Sequence, residues 1–164
     1  KGRPEIFSLH ELLYSIGEMI QVQPAFKDIE LSIQSGATQD MVYADKDQLC
    51  QVVLNCLMNS ADAVNSLEQT DYGKIIMTTD LPEADRIRLR ITDNGAGIEK
   101  DQVDNIFDPF YTSKEPGKGT GLGLSVSRSI MENVGGRMEM ESRKGKGSIM
   151  SIFLPLNDGV MSYD

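Results

Sequence analysis

The sequence predicts a two-layer α/β (α+β) sandwich, with a mixed, mainly antiparallel sheet packed on about three helices. Three patterns predict it. Arg86, Arg88 and Arg90 alternate strictly with Ile87, Leu89 and Ile91, as in a strand with one buried face. Segments 9–20 and 46–67 carry apolar side chains at helical spacing. Residues 138–141 and 148–154 flank Lys144, Gly145, Lys146 and Gly147 as the two arms of a hairpin flank its turn.

The elements follow in chain order. Leu9, Leu12, Leu13, Ile16, Met19 and Ile20 form one face of a helix, opened by Ser8 with Glu11 three residues on, a capping box, and closed by Pro24. Ile29, Leu31 and Ile33 predict a strand ending near Ser35 and Gly36, and residues 41–43 a short one. Asp45 and Gln48 predict the cap of the second helix. At about 100° per residue, its Val53, Leu57 and Val64 fall on one side and Gln51, Asn55, Asn59, Asp62 and Ser66 on the other. Strands over 75–79 and 86–91 come next, then a short helix over 99–106. Residues 107–121 form a Gly/Pro/Lys-rich loop without periodicity, a length that in compact domains usually goes with function or motion. A helix from Leu122 to Asn133, stopped by Gly135 and Gly136, leads into the hairpin; 157–164 reads as a frayed tail.

Composition excludes several classes. The 164 residues suit one domain with a sizeable core. With 16 basic against 25 acidic side chains the net charge is −9, which speaks against nucleic acid or an anionic membrane as partner. It does not speak against a small anion, because backbone N–H groups bind phosphate whatever the total charge. No apolar run approaches the roughly 18 residues of a membrane span, and no secretory signal is visible, so no membrane contact is expected from this segment. Cys50 and Cys56 have no metal-ligand spacing and read as reduced packing residues in a cytoplasmic setting.

Three groups of residues carry chemistry. Asp93-Asn94-Gly95-Ala96-Gly97-Ile98 follows the alternating strand; its carboxylate could accept from a ligand amino group while the glycines let backbone approach, though taken alone it is equally good turn chemistry. Gly117-Lys118-Gly119-Thr120-Gly121-Leu122-Gly123-Leu124 runs into a helix, where free N–H groups and the helix N-terminus favour an anion. It is neither a Walker A loop nor a full G-x-G-x-x-G. Lys114 and Lys118 against Glu115 leave residues 112–123 with a net positive charge inside an acidic chain. Asn55 and Asn59, one helical turn apart, are mediocre helix formers for a merely solvated face, and their carbonyl oxygens suit Mg2+.

Taken together, these motifs resemble those of the sensor histidine kinases. Asn55-Cys56-Leu57-Met58-Asn59-Ser60-Ala61-Asp62-Ala63 resembles their N box, and Asp93 to Ile98 their first glycine box. Residues 106–114, with Phe107, Phe110, Thr112 and Lys114, are similar to the phenylalanine box, in wording closest to the nitrogen-regulation branch. Residues 119–124 are similar to the second glycine box and Gly145 to Ser148 to the last glycine motif. The resemblance implies the GHKL ATPase/kinase fold, with a catalytic and ATP-binding domain over 1–156, an ATP lid at about 107–121 and a tail at 157–164.

It also implies roles. Asn59 would hold Mg2+ against the triphosphate of ATP, and Asn55 would sit beside the phosphates. Asp93 would accept from the adenine amino group, with Gly95 and Gly97 shaping the base pocket and Ile98 and Ser148 beside it. Phe107 and Phe110 would anchor the lid and Lys114 reach the phosphates. Gly119, Gly121 and Gly123 would offer backbone donors, with Thr112, Thr120, Leu122 and Leu124 also against the nucleotide. Ser148 stands where Thr is commoner, and Asp62 where many relatives carry a cation. The hydrolysing members of the superfamily resemble one another in a Glu at the place of Asn55; Asn55 cannot be a base, which suits transfer to a nucleophile that activates itself, such as imidazole.

His10, the one histidine, lacks the rest of the family's acceptor motif and is expected to be an exposed structural residue. The implied activity is therefore phosphorylation of a histidine on a separate dimerisation domain, absent from this sequence, for relay to a response-regulator receiver domain. A nucleotide-binding regulatory module without turnover and an anti-sigma-type protein-serine kinase are the alternatives.

Overall fold

A computed structural model describes residues 2–68, 72–111 and 123–157. Strand β1 (Pro4–Ser8) leads into helix α1 (Leu9–Ile20), and a 3-10 turn at Pro24–Phe26 leads into β2 (Ile29–Ser35). Then come β3 (Met41–Asp45), α2 (Lys46–Asn65), β4 (Gly73–Glu83) and β5 (Arg86–Asp93). Short α3 (Lys100–Val103), α4 (Gly123–Asn133), β6 (Arg137–Arg143) and β7 (Gly147–Pro155) complete the order. Five strands form one sheet in the order β2-β4-β5-β7-β6, and β1 pairs with β3 in a separate ribbon. Among the described residues only β2 and β4 run parallel; the other pairs are antiparallel, so the expected mixed, mainly antiparallel sheet is present.

Register builds the core in rows. Met77 opposes Ile91, which opposes Met150; Thr79 opposes Leu89, which opposes Ile152. All six are buried, because a period of two puts them on the face turned to the helices. Over them lie Leu9, Leu13 and Ile16 of α1, Leu49, Val53 and Leu57 of α2 and Met131 of α4. The opposite face carries the arginines. Arg88 pairs with Asp80, Nε to Oδ1 at 2.8 Å, and Arg90 adds to the same carboxylate. Phe153 also lies on this face yet is only 4% exposed, since Arg137 and Arg88 place guanidinium groups 3.8 Å and 6.0 Å from its ring centroid.

Both expected caps form. Ser8 Oγ accepts from Glu11 N at 3.2 Å, and Asp45 Oδ1 accepts from Asp47 N and Gln48 N at 3.0 and 3.2 Å. Two differences stand out. Strand β4 runs on to Glu83, past Pro82, because a register irregularity between Asp80 and Glu83 accommodates the proline. Strand β1 is not predicted by the sequence: adjacent Ile6 and Phe7 break alternation, and pairing with distant β3 forms it.

His10 also corrects an expectation. Its ring is held rather than exposed, with a side chain 17% accessible: Nε2 is 2.7 Å from Thr79 Oγ1 and Nδ1 3.3 Å from Asp40. Asp40 also accepts from His10 N and from the Ser8 hydroxyl, and Thr79 Oγ1 from Ala37 N. Cys50 and Cys56 are free thiols, as expected, and burial pushes Cys56 up to about 12, where it is unreactive.

Candidate functional site

Helix α2 buries Val53, Leu57, Ala61 and Val64 and turns its polar stripe to a cavity of about 550 Å³. Asn55, Asn59, Asp62 and Ser66 line it from the helix, Asp93 and Ser148 from β5 and β7, and Gly123 and Leu124 from the start of α4. Apolar Ile98, Ile106, Tyr111, Met140 and Met150 line much of the rest, with Ser60 among them. A volume of this size and a mainly apolar wall with few convergent polar groups suit an organic ligand.

Asp93, at the end of β5, is 6% exposed. Burial, the dominant influence, pushes its carboxyl above the ordinary carboxylate range, although the Gly95 N–H, the Ser60 hydroxyl and the Ser148 N–H all donate to it. The Gly95 bond measures 2.9 Å. A carboxylate with its own chain's donors on one side and a cavity on the other is built to accept one further hydrogen bond from a ligand.

The segment after it is a turn fastened on three sides. Asn94 Oδ1 accepts from Lys74 N at 2.8 Å, Ala96 N donates to Ala63 O at 3.1 Å, and Ile98 N donates to Ser142 Oγ at 2.8 Å. Gly97 lines the cavity with φ +69°, and a Cβ there would lie 2.2 Å from Arg143 O, so the β6–β7 hairpin and this turn can only meet through glycine. Gly95 shapes the pocket indirectly: it is not a lining residue, and its Cβ would fall 2.7 Å from the Ala63 carbonyl carbon. Its smallness lets the turn dock on α2.

Residues 44–158 match the family described as histidine kinase-, DNA gyrase B- and HSP90-like ATPase. The chain belongs to this ATPase family. It is 39% identical over 163 residues to the sensor kinase CckA of Brucella abortus, covering 93% of this chain and 17% of that protein. To the sensor histidine kinase ZraS of Escherichia coli K12 it is 34% identical, covering 91% and 30%. The chain thus spans less than a third of the length of these relatives. The catalytic domain of histidine kinase ThkA superposes with a TM-score of 0.77 at 27% identity over 93% of this chain and 97% of that one. The expected GHKL fold and kinship with sensor histidine kinases are both borne out.

In this ATPase domain the expected site residues other than Gly95 fall into three groups. Asn55, Asn59, Asp93, Gly97, Ile98, Gly123, Leu124 and Ser148 line one cavity, although they come from four separate parts of the chain. Of the two rings expected to anchor a lid, Phe107 is half-buried against the core, with the Arg128 guanidinium 5.5 Å from its centroid. Phe110 is 74% exposed with φ +67°. The reason is the turn closed by Tyr111 N on Asp108 O, which swings Phe110 outward and sets Tyr111 on the cavity wall instead. Thr112, Lys114, Gly119, Thr120, Gly121 and Leu122, and with them most of the 107–121 lid, lie outside the described residues.

Sequence reading missed Ser60, Ser142, Tyr111, Met140 and Met150. The alternation of the hairpin contained the signal for Met140 and Met150, which oppose each other on its inner face. Ser142, whose hydroxyl meets Ile98 N and, at 2.7 Å, Ser148 Oγ, had none.

Proposed function

We propose that this domain binds Mg2+·ATP in the α2–β5–β7 cavity and transfers the γ-phosphate to a histidine supplied by a separate dimerisation domain, for relay to the receiver domain of a response regulator. The observation that carries this reading is Asp93: a buried carboxylate, saturated by its own chain on one side, at a largely apolar cavity whose helical wall bears Asn55 and Asn59.

The donor set fits the nucleotide and its metal. Asp93 accepts from the adenine amino group, while Ile98, Met140 and Met150 cover the base, with Ser148 at its edge. Asn59 offers a neutral carbonyl oxygen of the kind that holds Mg2+ while the ion keeps most of its waters. Asn55 borders the phosphates, with Gly123 and Leu124 at the start of α4. Bound there, Mg2+ supplies charge neutralisation of the phosphate oxygens. By their sequence pattern Lys114, Gly119 and Gly121 add a cation and backbone donors to the same end, and Thr112, Thr120 and Leu122 further contacts. None of these groups is a base for water at the place of Asn55. Transfer to an imidazole needs no such base, because its neutral nitrogen is already a nucleophile. The acceptor histidine lies elsewhere, since His10 is tied to Asp40 and Thr79.

Two measurements test the reading. Calorimetry with Mg2+·ATP is expected to show binding that Asn59→Ala weakens; unchanged affinity removes Asn59 from the metal site. Mixing the chain with ATP and a separately made dimerisation hairpin of a relative is expected to leave acid-labile phosphate on the hairpin. Nucleotide binding without any transfer leaves a regulatory module, and acid-stable phosphate on serine a different kinase class.

A further inference from the structure

Helices α2 and α4 meet through one polar junction. Asn55 Nδ2 lies 3.1 Å from Ser127 Oγ and 3.3 Å from the Gly123 carbonyl oxygen, and Ser127 Oγ is 2.8 Å from that same carbonyl. Ser127 is fully buried, whereas Asn55 and Gly123 border the nucleotide cavity. A serine in a helix interior is a modest helix former, and burying its hydroxyl is unfavourable unless the hydroxyl is used.

The hydrogen inventory of this junction has one solution. A carbonyl oxygen only accepts, so the Ser127 hydroxyl donates to Gly123 and its oxygen is left as an acceptor. Both groups facing the Asn55 amide therefore require N–H. The reversed amide would press its own carbonyl oxygen against that of Gly123 and leave the Ser127 oxygen without a donor. The two acceptors lie in much the same direction from Nδ2, so one N–H serves both; with the NH2 group turned to α4, Oδ1 is turned away from it, on a residue that lines the cavity one helical turn before Asn59.

We propose that Ser127 is a positioning residue: it orients Asn55 so that the amide turns its carbonyl oxygen, not its NH2 group, to a divalent cation entering with the nucleotide phosphates. The proposal rests on the nucleotide-binding reading above. The choice matters because the two ends of an amide are opposite in chemistry. Oδ1 is a hard oxygen donor for Mg2+, whereas the NH2 end repels a cation and seeks a phosphate oxygen. Without the Ser127 oxygen, only the longer contact to Gly123 holds the amide, and the sense of Asn55 is imposed more weakly.

The test is calorimetry of ADP, with Mg2+ and with chelator, on the unmodified chain, Ser127→Ala, Asn55→Ala and the double variant. Alongside it, hydrogen exchange of the Asn55 side-chain amide is followed by NMR in the nucleotide-free chain. Ser127→Ala is expected to cut the Mg2+-dependent gain in ADP affinity by about three- to tenfold, the effect of one hydrogen bond, leaving affinity in chelator unchanged. In the Asn55→Ala background the same substitution is expected to do nothing more. The Asn55 amide hydrogen shared by Ser127 and Gly123 should exchange slowly in the unmodified chain and faster in Ser127→Ala. An unaltered Mg2+-dependent gain, or an equal loss with Asn55 already gone, overturns the proposal. Ser127→Cys, similar in size but a weak hydrogen-bonding partner, replaces Ala if that variant does not fold. If the unmodified chain binds no ADP, the nucleotide reading fails on its own, and the exchange data still decide the junction: fast exchange of both amide hydrogens overturns it.

Discussion

At the scale of single residues, Asp93 shows how one group serves binding at the expense of stability. Its raised carboxyl takes up a proton at a higher pH than an exposed carboxylate does, with burial as the first cause. The sign of the linkage follows. As pH falls through the window between the ordinary carboxylate value and the raised one, protonation of Asp93 favours the folded state, while above that window its ionised form weighs against folding. The same protonation removes the acceptor for a ligand amino group. ADP affinity is therefore expected to fall in that window, and Asp93→Asn to lose most binding at neutral pH without loss of thermal stability, as calorimetry and melting curves can check. Asp40 behaves oppositely. Burial pushes it up, but the Ser8 hydroxyl, the His10 N–H and the His10 ring outweigh burial and hold it below the ordinary range. Its contribution to stability is present above the unfolded value and is lost as pH falls through the lowered one. Asp40→Asn should flatten that acid limb of the stability profile.

Among the elements, the two helix caps and the alternating strand were legible because each is decided within a few residues. Ser8 reaches only to Glu11, and Asp45 only to Gln48. Strand β1 was not legible, because a ribbon of five residues needs a partner some 35 positions away to exist. The His10–Thr79–Asp40 cluster was hidden for the same reason. The His10 ring faces Asp40 through Nδ1 and the Thr79 hydroxyl through Nε2, and Thr79 Oγ1 accepts from Ala37 N; α1, the segment before β3 and β4 are thereby joined. Thr79→Val strips two buried polar groups of their partner and is expected to cost about 1–3 kcal/mol. Chemical denaturation measures that cost, and ADP affinity should not change, since no member of the cluster lines the cavity. Between elements, the turn 94–98 is the joint where a small change travels furthest. Gly97→Ala faces a left-handed backbone, unfavourable by about 1–2 kcal/mol, and a clash with Arg143 O. It should lower the melting temperature and weaken ADP binding together, because Ile98 and the hairpin move with the turn.

For the whole molecule, binding and stability are one measurement. A ligand that binds only the folded chain raises its stability by roughly 2.7 kcal/mol at 100 times its Kd. Mg2+·ADP is thus expected to raise the melting temperature with the logarithm of its concentration above Kd, and ADP with chelator to do so less; equal shifts would leave Mg2+ without a part in binding. The net charge of −9 is compatible with an anionic ligand because backbone N–H groups bind phosphate whatever the total charge. The sequence by itself determined the fold class, the caps, the polar stripe of α2 and the kinship with sensor kinases, since periodicity and contiguous motifs are local properties. Only the tertiary structure decided that Gly95 acts through α2 while Gly97 borders the cavity, that Phe110 points outward and Tyr111 inward, that His10 is held, and that Ser127 meets Asn55. Those outcomes depend on which distant backbones come within a few ångströms of each other, and the period of a strand or helix carries no record of its neighbours.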